Sequence, residues 1–247
     1  MLHDLHNNRG ERLDASLHEP AGESRVLVLI GHGVTANKDR EWAVTLAQAL
    51  ADAGCAALRF SFSGNGDSGG KFGDSCPTKE AGDLHSVIDA AEAAGHERVV
   101  YVGHSMGGAV GVIAASRDRR IGALVSLAGM VDTAEFARRK FGDQQPGDLM
   151  WDKPECPLSQ TFLDDMAAVG TVAPLAADIR VPWLLVHGDA DTVVPPQEST
   201  DIAARAGGPV ELRMLSGVDH VFTGAAAAMA REVVSWLESS PWSHTGS

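Results

Sequence analysis

Hydrophobic and polar positions along the chain change period in a regular order. Residues 2–6 and 12–17 alternate on either side of Asn7-Asn8-Arg9-Gly10, the pattern of a β-hairpin. Val26 to Ile30 is a short unbroken apolar run, as a strand covered on both faces requires. Residues 39–53 then place Trp42, Leu46, Ala49 and Leu50 at helical spacing. Cys55 to Phe62 returns to a strand, and residues 79–94 put Leu84, Val87, Ile88 and Ala91 on one helical face. Val99 to Val102 is a further strand, followed by a small-residue helix from Gly108 to Ala115. Strands are predicted again at Gly122 to Ala128, Val181 to Val186 and Val210 to Leu215, with helices over 197–206 and 223–238. Such alternation predicts the α/β class: about eight strands, a mostly parallel sheet, and helices on both faces.

One segment breaks the rhythm. Almost fifty residues between Val131 and Asp178 carry no convincing strand. Phe136, Lys140 and Phe141 mark one short helix there, and Phe162, Asp165, Met166 and Val169 another, with Trp151, Pro154 and Pro157 in irregular chain between. An insertion of this length is usually functional. The chain therefore divides into a core, residues 1–131 and 179–247, and a cap, residues 132–178. Phe136, Phe141, Trp151, Phe162 and Met166 are the cap's candidates for a substrate pocket. The tail, Pro241 to Ser247, is expected to fray.

Composition narrows the function. A chain of 247 residues suits one domain with an insertion, and 44% hydrophobic residues suffice for a large core. The net charge of −13 argues against binding a phosphate backbone. Cys55, Cys76 and Cys156 are odd in number and in no metal-binding spacing, which fits a reducing compartment. The N-terminus lacks a basic n-region and an apolar h-region, and no apolar run approaches the length of a membrane span. A cytoplasmic protein without membrane or nucleic-acid partners is the expectation.

The chemistry starts at Gly103-His104-Ser105-Met106-Gly107, a G-x-S-x-G pattern between a strand and a helix. That context makes it a nucleophile elbow: the tight turn exposes the Ser105 hydroxyl and leaves the Met106 amide free at a helix N-terminus. A serine nucleophile needs a base, and the base needs an acid to hold its tautomer. In open α/β sheets such groups collect at the carboxyl ends of strands. After Val210 to Leu215 comes His220, the candidate base. His104 is expected to fill space inside the elbow, pointing away from the Ser105 side. His187 reads as a satisfied core histidine, and His32 as a brace for the loop after the first buried strand. After Val181 to Val186 come Asp189 and Asp191, either of which could be the acid. Asp219 neighbours the base and would have to fold back on it. The glycine-rich loop Gly31-His32-Gly33-Val34 is expected to supply a second oxyanion donor, the Val34 amide, with Gly33 beside the substrate.

Together these residues resemble the α/β-hydrolase fold superfamily, from about Val26 to Trp236. Gly188-x-x-Asp191-x-x-Val194-Pro195 looks like that family's acid loop, which places the acid at Asp191 and Val194 beside the pocket. The stretches His32 to Asp39 and Leu58 to Ser68 are similar to bacterial carboxylesterases of the feruloyl/cinnamoyl type, although Ser61 stands where that group often has Asp. The resemblance implies a serine carboxylesterase acting on a small-molecule ester, short-chain or aryl. It implies no cofactor and no metal, and a monomer or homodimer. Asn37 and Lys38 are read as loop braces and a helix cap rather than substrate contacts. Other chemistry on the same residues (thioester, carbon–carbon or peptide hydrolysis, perhydrolysis) and a non-catalytic binder are the alternatives.

Overall fold

The computed structural model describes residues 2–24 and 26–240, and it sorts the apolar runs into one sheet between two helical layers. Strand β3 (Ala15–His18) lies at one edge, then β5 (Ala56–Phe60), β4 (Leu27–Gly31), β6 (Val99–His104), β7 (Ile121–Leu127), β8 (Trp183–Gly188) and β9 (Val210–Leu215) at the other. Only β3 is antiparallel to its neighbour; the other pairs are parallel. Successive side chains along a strand leave opposite faces. Leu27 and Leu29 thus join the layer of α2 (Pro77–Ala93) and α3 (Met106–Ala115). Val28 and Ile30 face α1 (Glu41–Asp52) and α7 (Ala226–Ser239). Because both faces are covered, the central strands β4, β6, β7 and β8 contain few polar residues, whereas the edge strand β9 carries Glu211 and Arg213.

The sequence predicts a single strand over residues 12–17. The chain instead divides at Asp14: β2 (Arg12–Leu13) pairs with β1 (Leu5–His6) as the hairpin arm, and β3 joins the main sheet. Asp14 is held away from both ladders, its N–H donating to Ser68 Oγ and its carbonyl accepting from Ser61 N–H. Seven strands in the main sheet and two in a separate hairpin result.

Strand order places the functional region. From β4 the chain moves outward to β5, then returns past β4 to β6 and continues to β9 on the other side. The order therefore reverses between β4 and β6, and the crevice at their carboxyl ends is where α/β sheets bind ligands. Gly31 and Gly103 are register partners there.

The insertion after β7 holds α4 (Thr133–Phe141) and α5 (Gln160–Val169). Phe136, Phe141, Phe162, Met166, Met150 and Leu158 form its own apolar cluster, which closes on Met106 and Val194 of the core. Glu198, in α6 (Pro196–Ala203), fastens its base by accepting from the Val131 and Asp132 N–H groups at 2.7 and 3.1 Å. At its other margin the Val172 N–H donates to the Val131 carbonyl. The three cysteines are free: Cys76 and Cys156 are buried and Cys55 is partly so. No helix among the described residues is long and apolar enough to cross a membrane. The expectation of a frayed tail at Pro241 to Ser247 lies outside the described residues.

Candidate active site

Strand β6 runs two residues further than its β-branched core, because Gly103 and His104 pair with Ser126 and Leu127 of β7. It ends directly against α3, with Ser105 alone between them. Ser105 adopts φ 54° and ψ −120°, a conformation that side chains rarely occupy. Ser105 is held there from several sides. Its N–H donates to the Leu127 carbonyl, and its own carbonyl accepts from Gly108 and Met130 N–H. The crowding explains the glycines of the pattern. A Cβ on residue 103 would stand 2.1 Å from the Gly107 carbonyl oxygen, and one on residue 107 would stand 2.5 Å from that of His32. Strain of this kind, of order 1–3 kcal/mol, persists only where the surroundings over-determine it.

Ser105 and His220 line one cavity of about 200 Å³, together with Gly33, Val34, Trp42, His104, Phe136 and Trp151. His220 follows β9. Its Nδ1 lies 2.7 Å from Asp191 Oδ2, and a carboxylate only accepts, so Nδ1 carries the proton and Nε2 keeps its lone pair. Asp191 is saturated: Oδ1 accepts from the Val193 and Val194 N–H groups at 2.7 and 3.0 Å, and Oδ2 also lies 3.1 Å from His187 Nε2. Burial would raise this carboxyl, but the hydrogen bonds from His187, His220 and Val193 outweigh it and hold the carboxyl well below the usual carboxylate range. Asp189 and Asp219 serve their own turns, accepting from Gly217 and Thr223 N–H respectively.

The other histidines are fixed by the same reasoning. His187 Nε2 faces the acceptors Asp191 Oδ2 and Val194 O, so it is the protonated nitrogen, and Nδ1 accepts from the Ser199 hydroxyl. His187 is the satisfied core histidine expected, and it also shares Asp191 with His220. Its signal was the His187-x-x-x-Asp191 spacing at the end of a strand. His32 accepts the Phe62 N–H at Nε2 and donates from Nδ1 to the Gly33 carbonyl, bracing the loop. Burial lowers it to about 4, so it stays neutral. His104 departs from expectation. It lines the cavity, its ring lies 4.8 Å from that of His220, and its Nε2 donates to the His220 carbonyl at 2.8 Å. Burial and the neighbouring His220 push it down to about 3, which keeps it a neutral strut for His220.

The Val34 and Met106 amides border Ser105. Met106 is the first residue of α3, so its N–H has no partner within the helix. Val34 N–H has no backbone acceptor among the described residues. Gly33 packs on Ser105 so tightly that a Cβ there would stand 2.7 Å from Ser105 Cβ and 3.1 Å from its Oγ. Gly33→Ala should therefore displace the loop or the hydroxyl. Because misplacement by about 1 Å can cost about 10² in rate, kcat/KM on a generic ester is expected to fall by about that factor while the melting temperature changes little. Parent-like kinetics would show that the loop can retreat.

Four candidate pocket residues lie elsewhere. Phe141, Phe162 and Met166 are buried in the cap's own apolar cluster and do not line the cavity. Val194 is buried in that cluster too, while its neighbour Val193 reaches the cavity wall. Asn37 and Lys38 brace the loop: Asn37 Oδ1 accepts from Asp39 N–H, and Lys38 N–H donates to Ser61 Oγ. Arg40 and Lys153, which also line the cavity, were not foreseen.

Residues 42–240 match the prolyl oligopeptidase family. Among solved structures, Est1E from Butyrivibrio proteoclasticus with ferulic acid bound is similar at 25% identity and a TM-score of 0.83, over 93% of this chain and 95% of that one. The esterase domain of a Rhodothermus marinus protein is similar at 24% identity and a TM-score of 0.76, over 95% of each chain, and so shares the fold. An uncharacterized protein of Mycobacterium tuberculosis (strain H37Rv) is 26% identical over 200 residues, 81% of this chain. The chain spans 64% of the length of that curated relative.

Proposed function

The chain belongs to the prolyl oligopeptidase family, within the α/β-hydrolase fold, and we propose that it is a cofactor-free serine carboxylesterase for small esters. One observation carries the reading. Ser105 sits strained at a strand–helix elbow and shares a cavity with His220, whose tautomer is fixed by Asp191. The arrangement supports the following steps. An ester carbonyl enters beside Gly33, and Ser105 Oγ attacks it as its proton passes to His220 Nε2. The Val34 and Met106 amides stabilise the oxyanion; one such donor is typically worth about 10²–10³ in rate. His220 then protonates the departing alcohol. Water, deprotonated by the same nitrogen, releases the acyl group and regenerates Ser105. Throughout, the Asp191 carboxylate stabilises the imidazolium.

The ester reading draws on the small cavity of about 200 Å³ and on the likeness to an esterase domain and to Est1E holding ferulic acid. Family membership favours a second reading, peptide-bond hydrolysis on the same residues. Initial rates on p-nitrophenyl acetate, p-nitrophenyl butyrate, methyl ferulate and a proline p-nitroanilide peptide separate the two. Turnover of the esters with none of the anilide is the expected result; the reverse would replace the esterase reading.

The cap's part in selectivity follows from who touches the cavity. Phe136 and Trp151 line it. Apolar pocket contacts discriminate by about 1–3 kcal/mol per methylene-sized change, so Phe136→Ala or Trp151→Ala should shift the preferred acyl length by about tenfold or more in kcat/KM. Phe141→Ala and Phe162→Ala remove buried cap packing and should instead cost about 3–5 kcal/mol of stability. A p-nitrophenyl chain-length series and thermal melts read both effects. Parent profiles for Phe136→Ala and Trp151→Ala would move specificity to the loops of the sheet.

A further inference from the structure

We infer that the ester hydrolysed at this site carries a carboxylate, recognised at the cavity by Arg40 with Lys153. This rests on the esterase reading and names its substrate class.

The charge at the cavity opposes the charge of the chain. The protein carries −13 overall, yet the charged side chains on this cavity, its histidines apart, are the two cations Arg40 and Lys153. Among the described residues no carboxylate lines it. Asp191, the acid nearest the chemistry, stands behind His220 with both oxygens committed. Asp39, beside Arg40 in sequence, is occupied by Lys38 and Arg59. The Arg40 guanidinium makes no ion pair or hydrogen bond among the described residues, as is also true of the exposed Arg9, Arg117, Arg119, Arg205 and Arg231, but of these Arg40 is the one that lines this cavity.

Arg40 is also rooted in place. It is the residue before α1, and its carbonyl accepts from Ala43 and Val44 N–H at 2.9 and 3.0 Å. Trp42, buried two residues on, anchors that turn and lines the same cavity. Burial is the main cause that lowers His32 and His104, and the positive charge of Arg40 adds to it. Lys153 comes from the cap: Nζ donates to Thr35 O at 2.9 Å and Thr35 Oγ1 at 3.3 Å. An ammonium has three donors, so one remains for a ligand. A guanidinium fork presents two parallel donors to a carboxylate, and the exposed Arg40 side chain is open to a ligand at the cavity that Trp42, Phe136 and Trp151 also line.

The test uses two matched pairs, one for each side of the scissile bond. On the acyl side, p-nitrophenyl hydrogen glutarate is compared with methyl p-nitrophenyl glutarate. On the alcohol side, 4-acetoxybenzoate is compared with methyl 4-acetoxybenzoate. In at least one pair the parent should prefer the carboxylate form. Arg40→Gln should lower that ratio of kcat/KM values by about tenfold, as expected for one hydrogen bond to a charged group. Arg40→Lys should keep an intermediate ratio, and Lys153→Met should lower it less than Arg40→Gln. A misfolded or merely loosened variant loses both members of a pair together and leaves the ratio alone. Two results overturn the inference while leaving the esterase reading intact: the parent favours the neutral member of both pairs, or the ratio ignores residue 40. Failure of the parent to hydrolyse any of the four overturns both.

Discussion

Ser105→Ala is expected to lower kcat on p-nitrophenyl acetate by on the order of 10⁶, as removal of a serine nucleophile does elsewhere. A residue of catalysis, roughly 10³–10⁴ over water, should survive from binding and the oxyanion amides. Labelling by a fluorophosphonate should disappear with it. The variant remains folded because alanine keeps the Cβ and the strained φ of 54° that the Leu127, Gly108 and Met130 hydrogen bonds impose. Ser105→Gly supplies an independent check on that strain. Glycine occupies positive φ without steric cost, so this equally inactive variant should melt above Ser105→Ala. Ester turnover near the parent rate by folded Ser105→Ala would remove Ser105 from the chemistry.

Much of this is legible in the amino-acid sequence, and the reasons are physical. Strands covered on both faces must be apolar throughout, so β4, β6 and β8 stand out as runs. A strand, a serine with glycines two residues away on each side, and a helix can meet only in a strained turn, so the elbow is written locally. Chain order along the sheet then brings Asp191 and His220 to adjacent strand ends. What could not be read depends on distant packing. Phe141, Phe162 and Met166 have the hydrophobicity of pocket residues, but composition does not tell whether an aromatic ring faces a ligand or another ring; Phe141 meets Phe136, Trp151 and Phe162. Lys153 reaches the cavity by crossing to Thr35, 118 positions away, and nothing local to either announces it. Arg40 sits between Asp39 and Glu41 in sequence, and nothing local shows that Asp39 turns to Lys38 and Arg59 while Arg40 lines the cavity. The break at Asp14 was hidden because both halves of its run alternate in the same phase.

Asp191→Asn should reduce kcat by up to about 10⁴ while Asp189→Asn costs little. The two aspartates differ in what an amide can replace. Asp189 accepts one backbone hydrogen bond, from Gly217, and an asparagine oxygen accepts it equally well. Asp191 has no such freedom. Its Oδ1 is held by two N–H donors, Val193 and Val194, so the asparagine oxygen must take that place. The NH₂ group then occupies the position of Oδ2, facing His220 Nδ1 and His187 Nε2. As a donor it stabilises the His220 tautomer protonated at Nε2, which cannot accept the serine proton. It also meets the His187 N–H donor to donor, so some loss of stability should accompany the loss of rate. Turning the amide over relieves the histidines only by setting NH₂ against Val193 and Val194 N–H. Measuring kcat and melting temperature for both variants decides the assignment. If Asp189→Asn proves the more damaging to kcat, the acid is Asp189, and the bond between Asp191 and His220 serves only to hold the two loops together.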